Sequence, residues 1–395
     1  MTIHESYAKT IRSIFTDGGA LLFCIVVPII YPILYTLIYN GETVREVPVT
    51  VVDDSHSAMS RDYIRRVDAT PDVRIVGQST DMEAAKLMVQ HRDCYGIIYI
   101  PSEFEKNLMT GKQVHVQAYC DMSGMLYYKA ILIANTEVSL DMNAEIKTAD
   151  LGGNPIANAS GIVGGTDEQK LTTAHPVQYE YVQLFNPQGG FATFLIPAVL
   201  ILAIQQTMLL GIGLIAGTRR ERGIRVTKGH STLLQMTGVA LGFMTVYIPI
   251  CVYEFGLVPH LFNLPQLANP WELCFLMVPF LIAVFNFGIA IGGIPRHRES
   301  IILLIVFTTL PMLFMSGVSW PGSALPTFWK QLGQIFPSTQ GINAFIKLNE
   351  MGGHFEDIRY EYIALWVQAI VYALLAHITT KLVHKAGGDD ETTNQ

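Results

Sequence analysis

Apolar and polar positions divide this chain into long blocks. Residues 18–41, 181–218, 231–253, 273–295, 300–329 and 362–380 contain no Asp, Glu, Lys or Arg. Most of these windows reach the roughly 18–20 residues that cross a bilayer's hydrocarbon core as a helix. They predict an α-helical polytopic membrane protein with spans at 19–39, 190–216, 232–255, 272–294, 300–319 and 361–381. The first stretch is too long for the apolar part of a signal peptide, carries Pro28 and Pro32, and lacks a small-x-small site at its end, so it reads as a retained helix. Segment 320–360 is interrupted by Pro321, Pro326 and Pro337 and carries Trp320, Phe328, Trp329 and Phe336. It is too broken to span, and short re-entrant helices within 322–352 are expected.

Two stretches have other periods. In residues 1–18, Ile3, Tyr7, Ile11, Ile14 and Phe15 recur at roughly helical spacing against Glu5, Lys9, Arg12 and Asp17. An amphipathic helix lying in the membrane interface fits this pattern; a frayed terminus fits the same sixteen or so residues. Residues 42–188 form the long polar segment, and there strand and helix patterns alternate. Val49–Val52 reads as a buried strand, Val73–Val76 and Tyr95–Ile100 as a second and a third, and Val114–Cys120 as a half-exposed one. Helices are expected over Ser57–Val67, from a Thr80/Glu83 capping box to about Gln90, in a short stretch from Pro101 closed by Gly111, and over Met125–Lys147. The alternation predicts a compact inserted α/β domain. Leu151–His175, rich in Gly, Asn and Thr, reads as a mobile loop, and Val177–Phe185 as a strand returning to the membrane.

Charge adds sidedness. Only 15% of the 395 residues are charged, and half are hydrophobic, which excludes a purely soluble enzyme. The net charge of −7, with no long basic tract, excludes a nucleic-acid binder. Residues 42–188 hold 20 acidic and 12 basic side chains, so the negative charge belongs to that segment. Lys and Arg otherwise gather in the N-terminal stretch (Lys9, Arg12), the loop after span 2 (Arg219, Arg220, Arg222, Arg225, Lys228), the loop after span 4 (Arg296, Arg298) and the C-terminal end (Lys381, Lys385). Loop 256–271 has neither. All the basic segments fall on one side of a six-span path, which is therefore expected to be cytoplasmic, with both termini. The polar domain is then extracytoplasmic, and 383–395 is a cytoplasmic tail.

Candidate chemistry is sparse. No G-x-x-x-x-G-K-[ST] phosphate loop occurs, nor H-E-x-x-H, nor a Cys-x-x-Cys pair. No metal site is expected among the scattered histidines. Asp53-Asp54-Ser55-His56 invites a catalytic reading, but polar residues at a strand end more commonly cap the following helix. Asn158-Ala159-Ser160 matches a glycosylation sequon of the kind common by chance. Cys94 and Cys120 could pair if the polar segment faces an oxidising compartment; their spacing does not decide it. Inside the spans, Gln205, Gln206 and Asn286 are candidates for a pathway or a dimer interface, although hydrogen bonding between packed helices explains them equally well and is preferred. Glu254 and Glu272 are placed at the outer ends of spans 3 and 4, within reach of water. The dense polar loop 218–230, with Arg219, Arg220, Glu221, Arg222, Gly223 and Arg225, is either a positive-inside anchor or a docking element for a cytosolic partner through charge-assisted pairs.

Several short motifs, in order, resemble the membrane subunits of type-2 ABC exporters, in the branch with a large extracytoplasmic domain between spans 1 and 2. These are Val51-Val52-Asp53-Asp54-Ser55, Ile98-Tyr99-Ile100-Pro101-Ser102-Glu103-Phe104, Phe185-Asn186-Pro187, Arg220-Glu221-Arg222-Gly223, Met315-Ser316-Gly317 with Pro321, and Phe336-Pro337-Ser338-Thr339. The resemblance covers nearly the whole chain and departs from the family where Gly223 is followed by Ile224 and Arg225. It implies a permease dimer, of two like or two related chains, in a bacterial cytoplasmic membrane. Separate ATPase subunits, binding ATP and Mg, would dock on the coupling loop and drive a hydrophobic or amphipathic substrate outward; this chain would hold no cofactor. Pro337 and Thr339 would form the junction of the re-entrant helices. In double-membrane bacteria the branch often works with a periplasmic adaptor and an outer-membrane channel. A membrane-anchored sensor or scaffold is the alternative, but two spans would suffice for it. An intramembrane enzyme would need a buried nucleophile or acid.

Overall fold

The computed structural model describes residues 2–39, 43–110, 112–122, 125–153, 185–186, 190–221, 232–292, 298–320 and 322–392. The chain forms two compact units: Thr43–Val182, and the remainder on either side of it.

Six helices among the described residues are long and apolar enough to cross a membrane. They are span 1 (Gly18–Ile38), span 2 (Phe191–Glu221), span 3 (Leu234–Leu261), span 4 (Pro270–Gly292), span 5 (Arg298–Met315) and span 6 (Phe355–Lys381). Span 2 is the hub, buried along its whole apolar stretch. Ile201, Ile204 and Met208 on it are sealed from solvent, as are Phe243 and Tyr247 of span 3 and Phe280 of span 4. Spans 1 and 5 present apolar side chains outward, such as Ile30, Leu37, Phe307 and Leu310, the distribution expected where lipid is the solvent. Spans 1 and 3 each contain a π turn, Leu22–Val26 and Tyr253–Leu257. Between spans 5 and 6 the proline-broken segment forms two short helices, Thr327–Gly333 and Pro337–Phe345, the second prolonged by a π turn to Glu350.

Ahead of span 1 the stretch expected to form an interface helix is helical over Ile3–Thr16. Thr2 and Glu5 form its capping box, Glu5 N–H donating to Thr2 Oγ1 (3.2 Å) and Thr2 N–H to Glu5 Oε2 (3.0 Å). Its buried stripe is Ser6, Thr10 and Ile14 rather than the isoleucine stripe as a whole. Small residues suit it because it lies against glycines of span 3. A Cβ on Gly238 would stand 2.5 Å from the Ile3 carbonyl oxygen, and one on Gly242 2.9 Å from Thr10 Cγ2. Ile3 and Phe15 remain exposed.

The inserted unit is a four-stranded sheet of order β2-β1-β3-β4: β1 Val47–Asp53, β2 Val73–Gln78, β3 Gly96–Ile100 and β4 Gln117–Cys120. β1 pairs in parallel with β2 and β3, and β4 is antiparallel to β3. Both faces of β1 are covered, which explains its valine-rich run, in which the buried Thr50 hydroxyl is bonded to the Gly77 carbonyl and Ser79 Oγ. Val47, Val49 and Val51 join Tyr63, Val67, Ile131 and Ala134 from helices Ala58–Asp68 and Met125–Gly153. Val52 packs with Ala85 of helix Met82–Gln90 on the other side.

Several local expectations need correction. Asp81, not Thr80, caps the helix that starts at Met82; its carboxylate accepts from Ala84 N–H at 2.7 Å. A carboxylate one residue nearer the first turn is the better partner for the positive helix end. β4 begins at Gln117 rather than Val114, because its ladder partners end at Tyr99, just before Ile100-Pro101. Val114 and Val116 instead pack half-buried on the core. The short helix expected from Pro101 occupies Phe104–Met109 without a side-chain cap. Helix Met125–Gly153 runs past Lys147 into the expected loop; residues 154–184, with the rest of that loop, the sequon and most of the returning strand, lie outside the described residues.

Candidate functional site at the basic end of the helix bundle

Asp17 ends the interface helix and caps span 1. Its Oδ1 accepts the N–H groups of Gly19 (3.0 Å) and Ala20 (3.2 Å), two of the donors a helix start leaves unpaired. Arg298, the first residue of span 5, grips the same carboxylate with both guanidinium ends, Nη2 to Oδ1 at 2.6 Å and Nη1 to Oδ2 at 3.0 Å. Such a forked pair fixes direction as well as distance. Thr218 of span 2 completes the group: its hydroxyl donates to Asp17 Oδ2 (3.0 Å) and accepts from Arg298 Nη1 (2.9 Å). Gly217 permits the approach, since a Cβ there would stand 3.0 Å from Arg298 Cα. Burial alone would raise the Asp17 pKa. The Ala20 N–H, the Arg298 guanidinium and the Thr218 hydroxyl outweigh it and hold the carboxyl below the usual carboxylate range.

The next residues of span 2 reach the other loop ends. Arg220 Nη2 donates to the Gly292 carbonyl (2.9 Å), at the last turn of span 4. Glu221 Oε1 accepts from Arg298 N–H (3.0 Å), at the first turn of span 5. Each charge has the sign that complements its helix end. Arg219 is half-buried, with its Nε sealed from solvent and without a hydrogen-bond partner among the described residues. Of the residues expected to meet a partner, Arg220 and Glu221 thus hold neighbouring spans, whereas Arg222, Gly223 and Arg225 lie outside the described residues. Sequence reading placed Arg298 only in a basic loop and overlooked the roles of Asp17 and Thr218. An acidic residue just before Gly18-Gly19, on an otherwise basic side, was the available signal.

The polar residues within the spans act as helix-to-helix ties. Gln205 Oε1 accepts from Ser338 N–H (2.7 Å) and its Nε2 donates to Ser338 Oγ (3.1 Å). Gln206 Nε2 reaches Met312 Sδ at 3.2 Å. Asn286 Nδ2 donates to the Ala369 carbonyl at 3.0 Å, joining spans 4 and 6. Pro337 is at the first turn of its helix, and Thr339 beside it is buried, its hydroxyl without a partner among the described residues.

Glu254 contradicts its expected exposure. Span 3 continues through the π turn to Leu261, so Glu254 lies inside the helix rather than at its wet end. It is fully buried, and neither carboxylate oxygen has a hydrogen-bond partner among the described residues. Glu272 is partly covered and accepts from Phe355 N–H at 3.3 Å.

In the inserted unit, Asp53 Oδ1 accepts from Ser55 and His56 N–H (3.0 and 3.2 Å), and Oδ2 accepts from the Ser60 hydroxyl (2.7 Å). That is an Asx-type turn and not a triad; the cap of the following helix is Ser57, two residues beyond Ser55. Cys94 and Cys120 are free thiols, both pushed up by burial. No group of three or more His, Cys, Asp or Glu that could hold a metal ion occurs among the described residues.

Comparison with known proteins supplies the family. The pattern of the ABC-2 family transporter protein matches residues 19–378. The linearmycin resistance permease protein LnrN of Bacillus subtilis (strain 168) is 19% identical over 354 residues, which cover 87% of this chain and 90% of that protein. Six apolar helices, an α/β unit inserted between the first two, and a family match across nearly all of them lead to one assignment: this chain belongs to the ABC-2 family of transporters, as a membrane permease subunit.

Proposed function

We propose that this permease exports a hydrophobic or amphipathic compound across a bacterial cytoplasmic membrane, outward through a dimer of permeases. Separate ATPase subunits, which bind ATP and Mg, dock on loop 218–230 from the cytoplasm. Both ends of the chain lie on that side, and the inserted α/β unit lies outside, where it receives substrate or meets further partners. In a double-membrane cell those partners are an adaptor and an outer-membrane channel. The name of the relative, a resistance permease, is in keeping with removal of a harmful compound.

The carrying observation is the set of bonds made by Thr218, Arg220 and Glu221. Three of the last four residues of span 2 are tied to the starts of spans 1 and 5 and to the end of span 4. A force applied to the loop that follows Glu221 therefore reaches four spans at once. Transport requires such a link, because nucleotide can only bias the spans through contacts that differ between two arrangements. Arg222, Gly223 and Arg225 are assigned to the ATPase contact, and Arg220 and Glu221 to positioning.

The test is co-purification and coupled turnover of the full chain with a co-expressed ATPase subunit that carries a Walker motif. Arg220→Glu and Glu221→Ala should retain the ATPase but lose substrate-stimulated hydrolysis, while Arg222→Glu with Arg225→Glu should lose the ATPase itself. Normal export by both sets of variants would reject the assignment. Impermeant labelling of a cysteine placed at residue 225 from outside the cell would reverse the sidedness.

A further inference from the structure

A cavity of about 650 Å3 opens between the interface helix and the last turns of span 2. Transmission of force does not explain its chemistry. Lys9 and Arg12 line it from the interface helix, and Arg219 from span 2. None of the three forms an ion pair among the described residues. Two acids also line the wall. Both oxygens of Asp17 are held by Arg298, whereas Glu5, though bonded to Thr2 N–H in the capping box, keeps its negative charge. Lys9, Arg12 and Arg219 outnumber that one carboxylate, so the lining is positive. Arg219 closes the far side, half-buried beside Ile215 and Thr218. A guanidinium with no acidic partner among the described residues suits an anionic oxygen.

The position of the cavity narrows the class of anion. Its wall includes Asp17 and Thr218, at the level where spans 1 and 5 begin. That is the headgroup level of the basic side. Ile215 adds an apolar wall, and the exposed Ile3 and Phe15 place the interface helix at the boundary of the acyl chains. We infer that this cavity binds a phosphate ester through Lys9, Arg12 and Arg219, and that its natural source is the headgroup of an anionic phospholipid in the cytoplasmic leaflet. Basic pockets between membrane helices on that face suit such headgroups. A headgroup seated there would brace the interface helix against span 2, beside the Asp17–Arg298 pair. The inference borrows only the sidedness from the proposed function.

The test titrates the purified full chain, in neutral detergent, with dioctanoyl phosphatidylglycerol, dioctanoyl phosphatidylcholine and inorganic phosphate, and follows binding by thermophoresis. Phosphatidylglycerol should bind saturably and phosphatidylcholine should not. Lys9→Gln with Arg12→Gln should weaken the anionic lipid about thirtyfold, and Lys9→Arg with Arg12→Lys should restore it. Both side chains are exposed, and an unchanged melting temperature checks that the fold survives. Inorganic phosphate displacing the lipid at equal concentration would uphold the phosphate chemistry and move its source to a soluble ligand. Equal binding of the two lipids, or unchanged affinity in the double glutamine variant, would overturn the inference. So would loss of a co-purifying ATPase with lipid affinity intact, since the cavity would then be a protein dock. No ATPase is needed for the titration, so its failure leaves the transport reading standing, and failure of coupled turnover leaves the lipid site standing.

Discussion

Gln205 caps a distant helix through Ser338, 133 residues after it. Helix Pro337–Phe345 has Phe336 at its N-cap, which offers no side-chain acceptor. Pro337 removes one unpaired donor from the first turn, and the amide of Gln205 accepts the next, Ser338 N–H, while returning a bond to the Ser338 hydroxyl. Gln205 is fully buried, so no water can replace it. Gln205→Leu should destabilise the protein by about 1–3 kcal/mol, read as a lower melting temperature in detergent. Ser338→Ala should cost less, because the backbone donor keeps its acceptor. A double variant no worse than Gln205→Leu alone would confirm that the two residues act on each other.

The Asp17–Arg298 pair predicts a dependence on acidity. Asp17 is held below the ordinary carboxylate pKa of 3.8, so the folded form binds its proton less readily than the unfolded form. Its contribution is complete above that ordinary value and disappears as pH falls through the lower folded value. The bundle should therefore keep this contribution down to about pH 4 and lose it in stronger acid. Asp17→Asn should remove it at neutral pH, at a cost of about 1–3 kcal/mol, and flatten the acid limb of the melting profile. An acid limb identical in wild type and Asn variant would contradict the pairing.

Gly238 lets the interface helix lie against span 3. The added Cβ would meet the Ile3 carbonyl oxygen at 2.5 Å and Ser6 Cβ at 2.6 Å, and the backbone of a packed helix cannot yield as a flexible side chain would. Gly238→Val should lift the interface helix while the spans remain inserted. Maleimide labelling of a cysteine substituted for the buried Ser6 should then rise sharply over the same cysteine in an otherwise unchanged chain. Gly18, whose added Cβ would meet nothing within 4 Å, supplies the control, since Gly18→Ala should leave labelling unchanged.

Glu254 is a buried carboxyl with no partner for either oxygen among the described residues. Replacing such a group by a neutral one of similar shape commonly stabilises a protein. Glu254→Gln should raise the melting temperature, by the equivalent of about 1–3 kcal/mol. Export assayed alongside decides whether the acid is kept for use: a more stable but less active variant would mark Glu254 as functional, whereas unchanged export would mark it as dispensable.

Much of this architecture was legible because it depends on composition over long windows. A bilayer demands about twenty apolar residues per helix, and the charge-free runs met that demand at six places. The valine run of β1 announced a strand covered on both faces. Shorter decisions were less legible. Thr80 and Asp81 are both good caps, and a single residue of helix start decided between them. The outer end of span 3 was misjudged because the charge-free run stops at Tyr253, yet the π turn carries the helix through Glu254 and Gly256, and Pro259 sits in the first turn of the segment that follows. The bonds among Asp17, Thr218 and Arg298 were beyond reach for another reason. They join residues 201 and 281 positions apart, and no local period encodes so distant a meeting.

That separation orders the making of the molecule. Asp17 is synthesised 281 residues before Arg298, and a chain made from its N-terminus builds its parts in sequence. The first helix must therefore enter the lipid with its capping carboxylate resting on Gly19, Ala20 and water alone. The guanidinium that locks it arrives only with the fifth helix. Closure of this end is a late event in biogenesis, and a nascent chain that stops short of residue 298 holds its opening helix by a temporary fastening.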